Sequence, residues 1–159
     1  MRLEKVNAEN IAALLALRVF PDQQSFVASN RQSIIDAYIC GISGGHVQPF
    51  GIFDGETPVG FLMISFGVDS GWKDAPEIAK DSYFLWRFMI DAQYQHCGFG
   101  RQALKLALDY IRTLPFGPSD TIWTSTEPDN VTAKRLYESF GFRETGEMDG
   151  EEIILSMKL

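Results

Sequence analysis

Hydrophobic and polar positions change period several times along the chain, and each change marks an element. The short run Leu3 to Val6 reads as a first strand. From about Asn10 to Val19, Ile11, Leu14, Leu15 and Arg18 recur at helical spacing. Pro21 interrupts that helix, and a second is predicted from about Ser25 to Cys40, with Phe26, Ile34, Ala37 and Tyr38 on related faces. Gly41, Gly44 and Gly45 then make a loop. Pro49 to Asp54 and Pro58 to Phe66 read as strands flanking Asp54-Gly55, a dipeptide suited to a hairpin turn. Gly67 to Ser82 is polar and turn-rich, an excursion from the regular framework. Tyr83 to Asp91 is an almost continuous apolar run, as in a strand buried on both faces. Arg101 to Leu114 reads as a helix with Leu104, Leu108, Ile111 and Leu114 on its stripe, stopped by Pro115, Gly117 and Pro118. Thr121 to Thr126 is a strand, and Val131 to Phe140 a helix closed by Gly141, which permits the left-handed turn. Phe142 to Glu147 and Glu151 to Leu159 form a last hairpin around Asp149-Gly150. The pattern predicts a mixed α/β (α+β) domain on one central sheet, spanning residues 1–159 without repeat or linker.

Composition narrows the class. With 45% apolar residues, 159 positions suffice for one sizeable core. The net charge of −7 argues against nucleic acid as a partner, because phosphate binding needs a basic face. It is compatible with a cationic substrate, and equally with plain solubility. No run of about eighteen apolar residues suggests a membrane span. The start, with Arg2, Glu4 and Lys5, lacks the apolar stretch of a secretory leader. Cys40 and Cys97 are the only cysteines, without CxxC spacing and with only two histidines, so no metal site is expected and a cytoplasmic setting is.

One segment carries chemistry. Gln95-His96-Cys97-Gly98-Phe99-Gly100-Arg101 lies between a buried strand and an amphipathic helix. Gly98 and Gly100 remove Cβ atoms from a ligand's approach and allow positive φ angles that aim successive N–H groups at one point. The following helix adds its N-terminal dipole, and Arg101 can add a full charge. The unit suits a pyrophosphate. It lacks the G-x-x-x-x-G-K-[ST] run of nucleotide triphosphate loops, and Ala103 replaces the third glycine of a dinucleotide fingerprint.

Gln95-x-x-Gly98-x-Gly100 resembles the pyrophosphate motif of the GNAT superfamily of acetyl-CoA-dependent N-acetyltransferases. About thirty residues on, Asn130-x-x-Ala133-x-x-Leu136-Tyr137-x-x-x-Gly141-Phe142 is similar to that superfamily's second cofactor motif. Asp22 to Asn30, Leu85 to Asp91 and Gly141 to Gly146 further resemble bacterial spermine/spermidine acetyltransferases. The resemblance implies a mixed sheet of about seven strands with about four helices, and splaying between the strands at Tyr83 and Thr121 to admit CoA.

Roles follow from the resemblance. The backbone of Phe88, Met89 and Ile90 would pair with the pantetheine arm of CoA as with an added strand, and one of these amides would polarise the thioester carbonyl. Gln95, His96, Cys97, Gly98, Phe99, Gly100 and Arg101 would hold the pyrophosphate. Asn130 would bond the pantetheine, cap its helix, or both. Tyr137 would protonate the departing thiolate. An alkylammonium needs a base before it can attack. Some polyamine acetyltransferases carry acids on the strand where this chain has Trp86 and Arg87, which leaves Glu127 as first candidate, with Asp22 and Asp91 behind it. Trp86 and Tyr38 could offer cation–π contacts, and Asp22 and Glu127 charge, to an amine. The expected reaction is direct transfer to a small-molecule amine in a ternary complex, since Cys97 lies in the pyrophosphate cradle, away from the thioester. Other acceptors (an aminoglycoside, an amino acid, a protein N-terminus), a non-catalytic CoA-binding module and a homodimer remain open at this level.

Overall fold

The computed structural model describes residues 1–159. Its framework is a seven-stranded sheet ordered β1-β2-β3-β4-β5-β7-β6. The strands are β1 (Arg2–Lys5), β2 (His46–Asp54), β3 (Thr57–Phe66), β4 (Tyr83–Ile90), β5 (Thr121–Thr126), β6 (Arg143–Asp149) and β7 (Glu152–Lys158). The helices are α1 (Ile11–Ala16), α2 (Asn30–Ile42), α3 (Phe99–Ile111) and α4 (Val131–Glu138). Every neighbouring pair is antiparallel except β4 and β5, the one pair that needs a helical crossover, α3.

The two helical layers divide cleanly. On one face α3 buries Ala103, Leu104, Ala107, Leu108 and Ile111 against Leu62, Ile64, Tyr83, Leu85 and Ile122, and Tyr137 of α4 joins the same cluster. On the other face Leu14 and Leu17 from the α1 region and Ala37 of α2 pack on Phe53, Phe61, Met63 and Met89. The excursion between β3 and β4 folds back so that Trp72 covers Phe84 and Trp123.

Element boundaries shift from the sequence expectation where tertiary contacts intervene. The first helix stops at Ala16 instead of reaching Val19, because Leu17 turns extended and Arg18 docks on β4's end. There the Arg18 N–H donates to Asp91 Oδ2 at 2.7 Å, and the Ala92 N–H donates to the Arg18 carbonyl at 2.8 Å. The second helix begins at Asn30 rather than Ser25. Ser29 caps it by accepting from the Gln32 N–H, and the buried Asn30 amide donates to the Leu14 carbonyl at 2.8 Å. Residues 25–28 are thereby released to line a cavity. The third helix starts earlier, at Phe99, with Gly98 as its N-cap, and leaves Leu114 exposed beyond its end.

A bulge in β4 sets the site. Register runs from Ile64 opposite Leu85 to Met63 opposite Arg87, so Trp86 is the extra residue. A bulge puts two consecutive side chains on one face. Trp86 and Arg87 both turn toward the α1–α2 layer, where Arg87 Nη2 meets Asp36 Oδ2 of α2 at 3.2 Å.

Candidate active site

β4 and β5 pair only through Tyr83 with Ile122 and Phe84 with Trp123. Beyond that point the strands separate, bridged once by the Thr124 hydroxyl donating to the Leu85 carbonyl at 3.0 Å. The free edge of β4 can be read residue by residue. The Asp91 N–H bonds the Val59 carbonyl, and bonded and non-bonded pairs alternate along an antiparallel ladder. Met89, opposite Phe61, therefore spends its backbone groups on β3. Phe88 and Ile90, opposite Leu62 and Gly60, turn theirs toward the gap. Of the three residues expected to meet the pantetheine, these two offer the open edge.

A cleft of about 580 Å³ follows the gap from the glycine loop to the start of β7. At its loop end His96 has φ 61° and Gly98 φ 81°, the left-handed conformations that curl a chain around an anion. A Cβ on Gly100 would meet only ordinary contacts within the protein, Leu136 at 3.6 Å and Ile90 at 3.9 Å. His96, Gly100 and Gln95 line the cleft, whereas Cys97 is exposed and Phe99 packs near Tyr94. Arg101 is turned away, its guanidinium donating to the Ser139 hydroxyl at 3.0 Å and lying over the Phe140 ring. The residues and shape fit the pyrophosphate and pantetheine of acetyl-CoA.

Across the gap, α4 presents Asn130 and Tyr137. Asn130 caps its helix, accepting from the Ala133 N–H at 3.3 Å, and also lines the cleft. Tyr137 is 5% exposed. Burial pushes its pKa up to about 12, with Glu152 adding in the same direction and the Thr124 hydroxyl opposing.

At the far end the cleft meets a second cavity of about 370 Å³, and Trp86, Arg87, Ser125 and Glu152 line both. The second cavity adds Glu127, Asp149 and Glu151. Glu152, at the junction, accepts from the Ser125 hydroxyl. Glu127 and Asp149 are both raised from their ordinary values, first by desolvation and then by repulsion from Glu152. Arg87 is the opposing charge. Burial lowers its pKa, and Asp36 and Glu152 act against that.

The other expected acceptor residues separate. Asp22 and Trp86 line the cleft, and Glu127 lines the outer cavity. Tyr38 does not reach either: it is 67% exposed on the outer side of α2, because burial of Ser33, Ala37 and Cys40 fixes that helix's inner face. Asp91 is committed to structure, its two oxygens accepting the Arg18 and Gln93 N–H groups. Glu152 and Ser125 were not foreseen. The crowding of Glu147, Asp149, Glu151 and Glu152 around one hairpin was the available signal.

The acetyltransferase (GNAT) family model matches residues 11–142, and the chain belongs to that family of acetyl-CoA-dependent N-acetyltransferases. A spermine/spermidine N(1)-acetyltransferase of Bacillus subtilis is 31% identical over 161 residues, covering 98% of this chain and 97% of that one. In three dimensions the chain is similar to the PaiA N-acetyltransferase of Thermoplasma acidophilum in complex with coenzyme A, with TM-score 0.70, 14% identity and coverage of 99% and 98%. The aminoglycoside acetyltransferase AAC(6')-Ib in complex with coenzyme A gives TM-score 0.75 at 15% identity, over 99% of this chain and 94% of the other.

Proposed function

We propose that this enzyme moves the acetyl group of acetyl-CoA to a primary amine of a polyamine such as spermidine or spermine, with both substrates bound together. The observation that carries the reading is the junction of the two cavities. The gap suited to the thioester opens, beside Trp86, Ser125 and Glu152, into a pocket with four carboxylates. A polyamine carries several ammonium groups on a flexible chain. Glu127, Asp149 and Glu151 would hold those that do not react, and Trp86 offers a ring face to a cation. The name of the Bacillus subtilis relative supports the same acceptor class.

Acetyl-CoA, when bound, supplies an activated acyl group with a thiolate leaving group. The open backbone edge at Phe88 and Ile90 orients the arm, and its N–H groups polarise the thioester carbonyl. Glu152 takes the proton of the attacking amine, directly or through a water. An alkylammonium with pKa about 10.4 costs roughly 4–5 kcal/mol to supply as free amine at pH 7, so a proton acceptor at the junction matters. Glu127 lies in the outer cavity, a place for binding a distal charge rather than for this transfer. Tyr137, with its pKa pushed up to about 12, stays protonated and donates a hydrogen bond to the departing sulfur. A thiol's pKa is about 8.5, so outright transfer from Tyr137 runs uphill, and the donated bond works by strengthening as charge gathers on sulfur.

The test is a thiol-release assay with acetyl-CoA against spermine, spermidine, putrescine, an aminoglycoside, several amino acids and a short peptide. Saturable turnover of spermine or spermidine is expected. Turnover confined to the aminoglycoside, amino acids or peptide would remove the polyamine and leave the acetyl transfer standing.

A further inference from the structure

The wall of the cleft opposite α4 is the segment from Val19 to Ala28, of which Val19, Asp22, Gln23 and residues 25–28 line the cavity. It is fixed at its two ends, by Arg18 on Asp91 and by the Ser29 cap of α2. Between those ends its own backbone makes only short turn bonds, such as Gln23 N–H to the Phe20 carbonyl and Phe26 N–H to the Gln23 carbonyl. Val19 and Val27 pack on the core, and one hydrogen-bonded side-chain link joins the middle of the segment to the rest of the molecule. Gln95 Nε2 donates to Gln23 Oε1 at 2.7 Å, and Gln23 Nε2 donates back to Gln95 Oε1 at 3.0 Å. Gln95 Nε2 also donates to the Ile90 carbonyl on the open edge of β4, at 3.1 Å.

We infer that Gln23 is a positioning residue, and that its paired carboxamide with Gln95 couples occupation of the pyrophosphate loop to the setting of the 19–28 wall. Gln95 immediately precedes His96 and Gly98, whose left-handed backbones shape the loop. A ligand that fixes this loop fixes the Gln95 side chain, and a two-bond amide pair passes that restriction to Gln23. The Ile90 bond ties the same amide to the strand edge expected to take the pantetheine. Loop, strand edge and wall therefore meet at one carboxamide. Coupling of this kind is reciprocal, so whatever orders the wall must also tighten binding at the loop. That acceptors bind against this wall rests on the polyamine reading above, but the coupling itself needs only CoA.

The experiment accordingly uses CoA alone. Backbone hydrogen exchange of residues 19–28 is measured at short labelling times with and without saturating CoA, in the wild type, in Gln23→Ala and in Gln23→Glu. Gln23 is half-buried in a short turn, and circular dichroism of the same samples reports whether each variant retains its fold. In the wild type CoA slows exchange across the wall by several-fold, on the scale of about 5–150-fold found for coupled sites. In Gln23→Ala that slowing disappears while CoA affinity falls less. Gln23→Glu keeps an oxygen for Gln95 Nε2 and retains part of the effect. Equal slowing in Gln23→Ala and wild type, or no slowing in the wild type, overturns the inference. The amine panel separately decides the acceptor class, so either reading can fail without the other.

Discussion

The boundary between β4 and β5 has two halves that differ in almost every respect. At Tyr83–Phe84 and Ile122–Trp123 the strands are bonded, and the aromatic rings of Phe84 and Trp123 stack at 3.8 Å, covered by Trp72. The Tyr83 hydroxyl donates to the Gly117 carbonyl at 2.9 Å, closing that end further. A few residues on, the same two strands are apart, the lining turns to Ser125, Thr126, Arg87 and Glu152, and backbone groups of Phe88 and Ile90 are left without strand partners. The closed half resists separation because parting it would expose large aromatic surface. The open half begins at the bulge at Trp86, beyond which β4 and β5 no longer pair and polar β5 side chains line the gap. A splayed site needs a clamp, and the aromatic stack supplies it.

The comparison can be broken most severely at the clamp. Trp123→Ala removes a fully buried ring and should destabilise the fold by about 3–5 kcal/mol, read from urea denaturation. Loss of less than about 1 kcal/mol would mean that the stack does not hold the closed half. In the open half, Tyr137→Phe should lower kcat by about 10²–10³-fold with little change in CoA affinity, measured by thiol release and calorimetry. Unchanged kcat would remove Tyr137 from the reaction.

Glu152→Gln and Glu127→Gln sharpen the distinction within the acidic end. The first should depress kcat by about 10²-fold, and the second should raise the acceptor KM several-fold with kcat nearly kept. Equal effects on kcat would dissolve the separation between junction and outer pocket. A separate effect is on the pH dependence of stability. Tyr137 is raised from an ordinary 10 to about 12, so the folded state holds its proton more tightly than the unfolded chain. That contribution is complete below pH 10 and is lost as pH rises toward 12. Wild type should therefore lose stability more steeply than Tyr137→Phe over this window, as followed by thermal melts.

Much of the framework was legible because it is local. Periodicity, apolar runs and turn dipeptides located seven strands and four helices, since each signal is carried by neighbouring residues. Errors fell at helix ends, where the Arg18 contact with Asp91 and the Ser29 cap decided between helix and extended chain. The glycine loop and the Asn130–Tyr137 stretch were readable because their chemistry is carried by residues close in sequence. Glu127 was singled out as a candidate base, but its place on the outer cavity was not legible.

By itself the sequence determined the class of elements, the glycine loop and the tyrosine on the facing helix, because each depends on neighbours within a few positions. Only the tertiary structure decided which side of β4 Trp86 and Arg87 occupy, since one extra residue in the ladder inverts the alternation. It alone put Glu152 at the junction, left Tyr38 in solvent and joined Gln23 to Gln95 across a separation of 72 residues. Those outcomes rest on strand register and on packing between distant segments, and neither leaves a periodic mark in the chain.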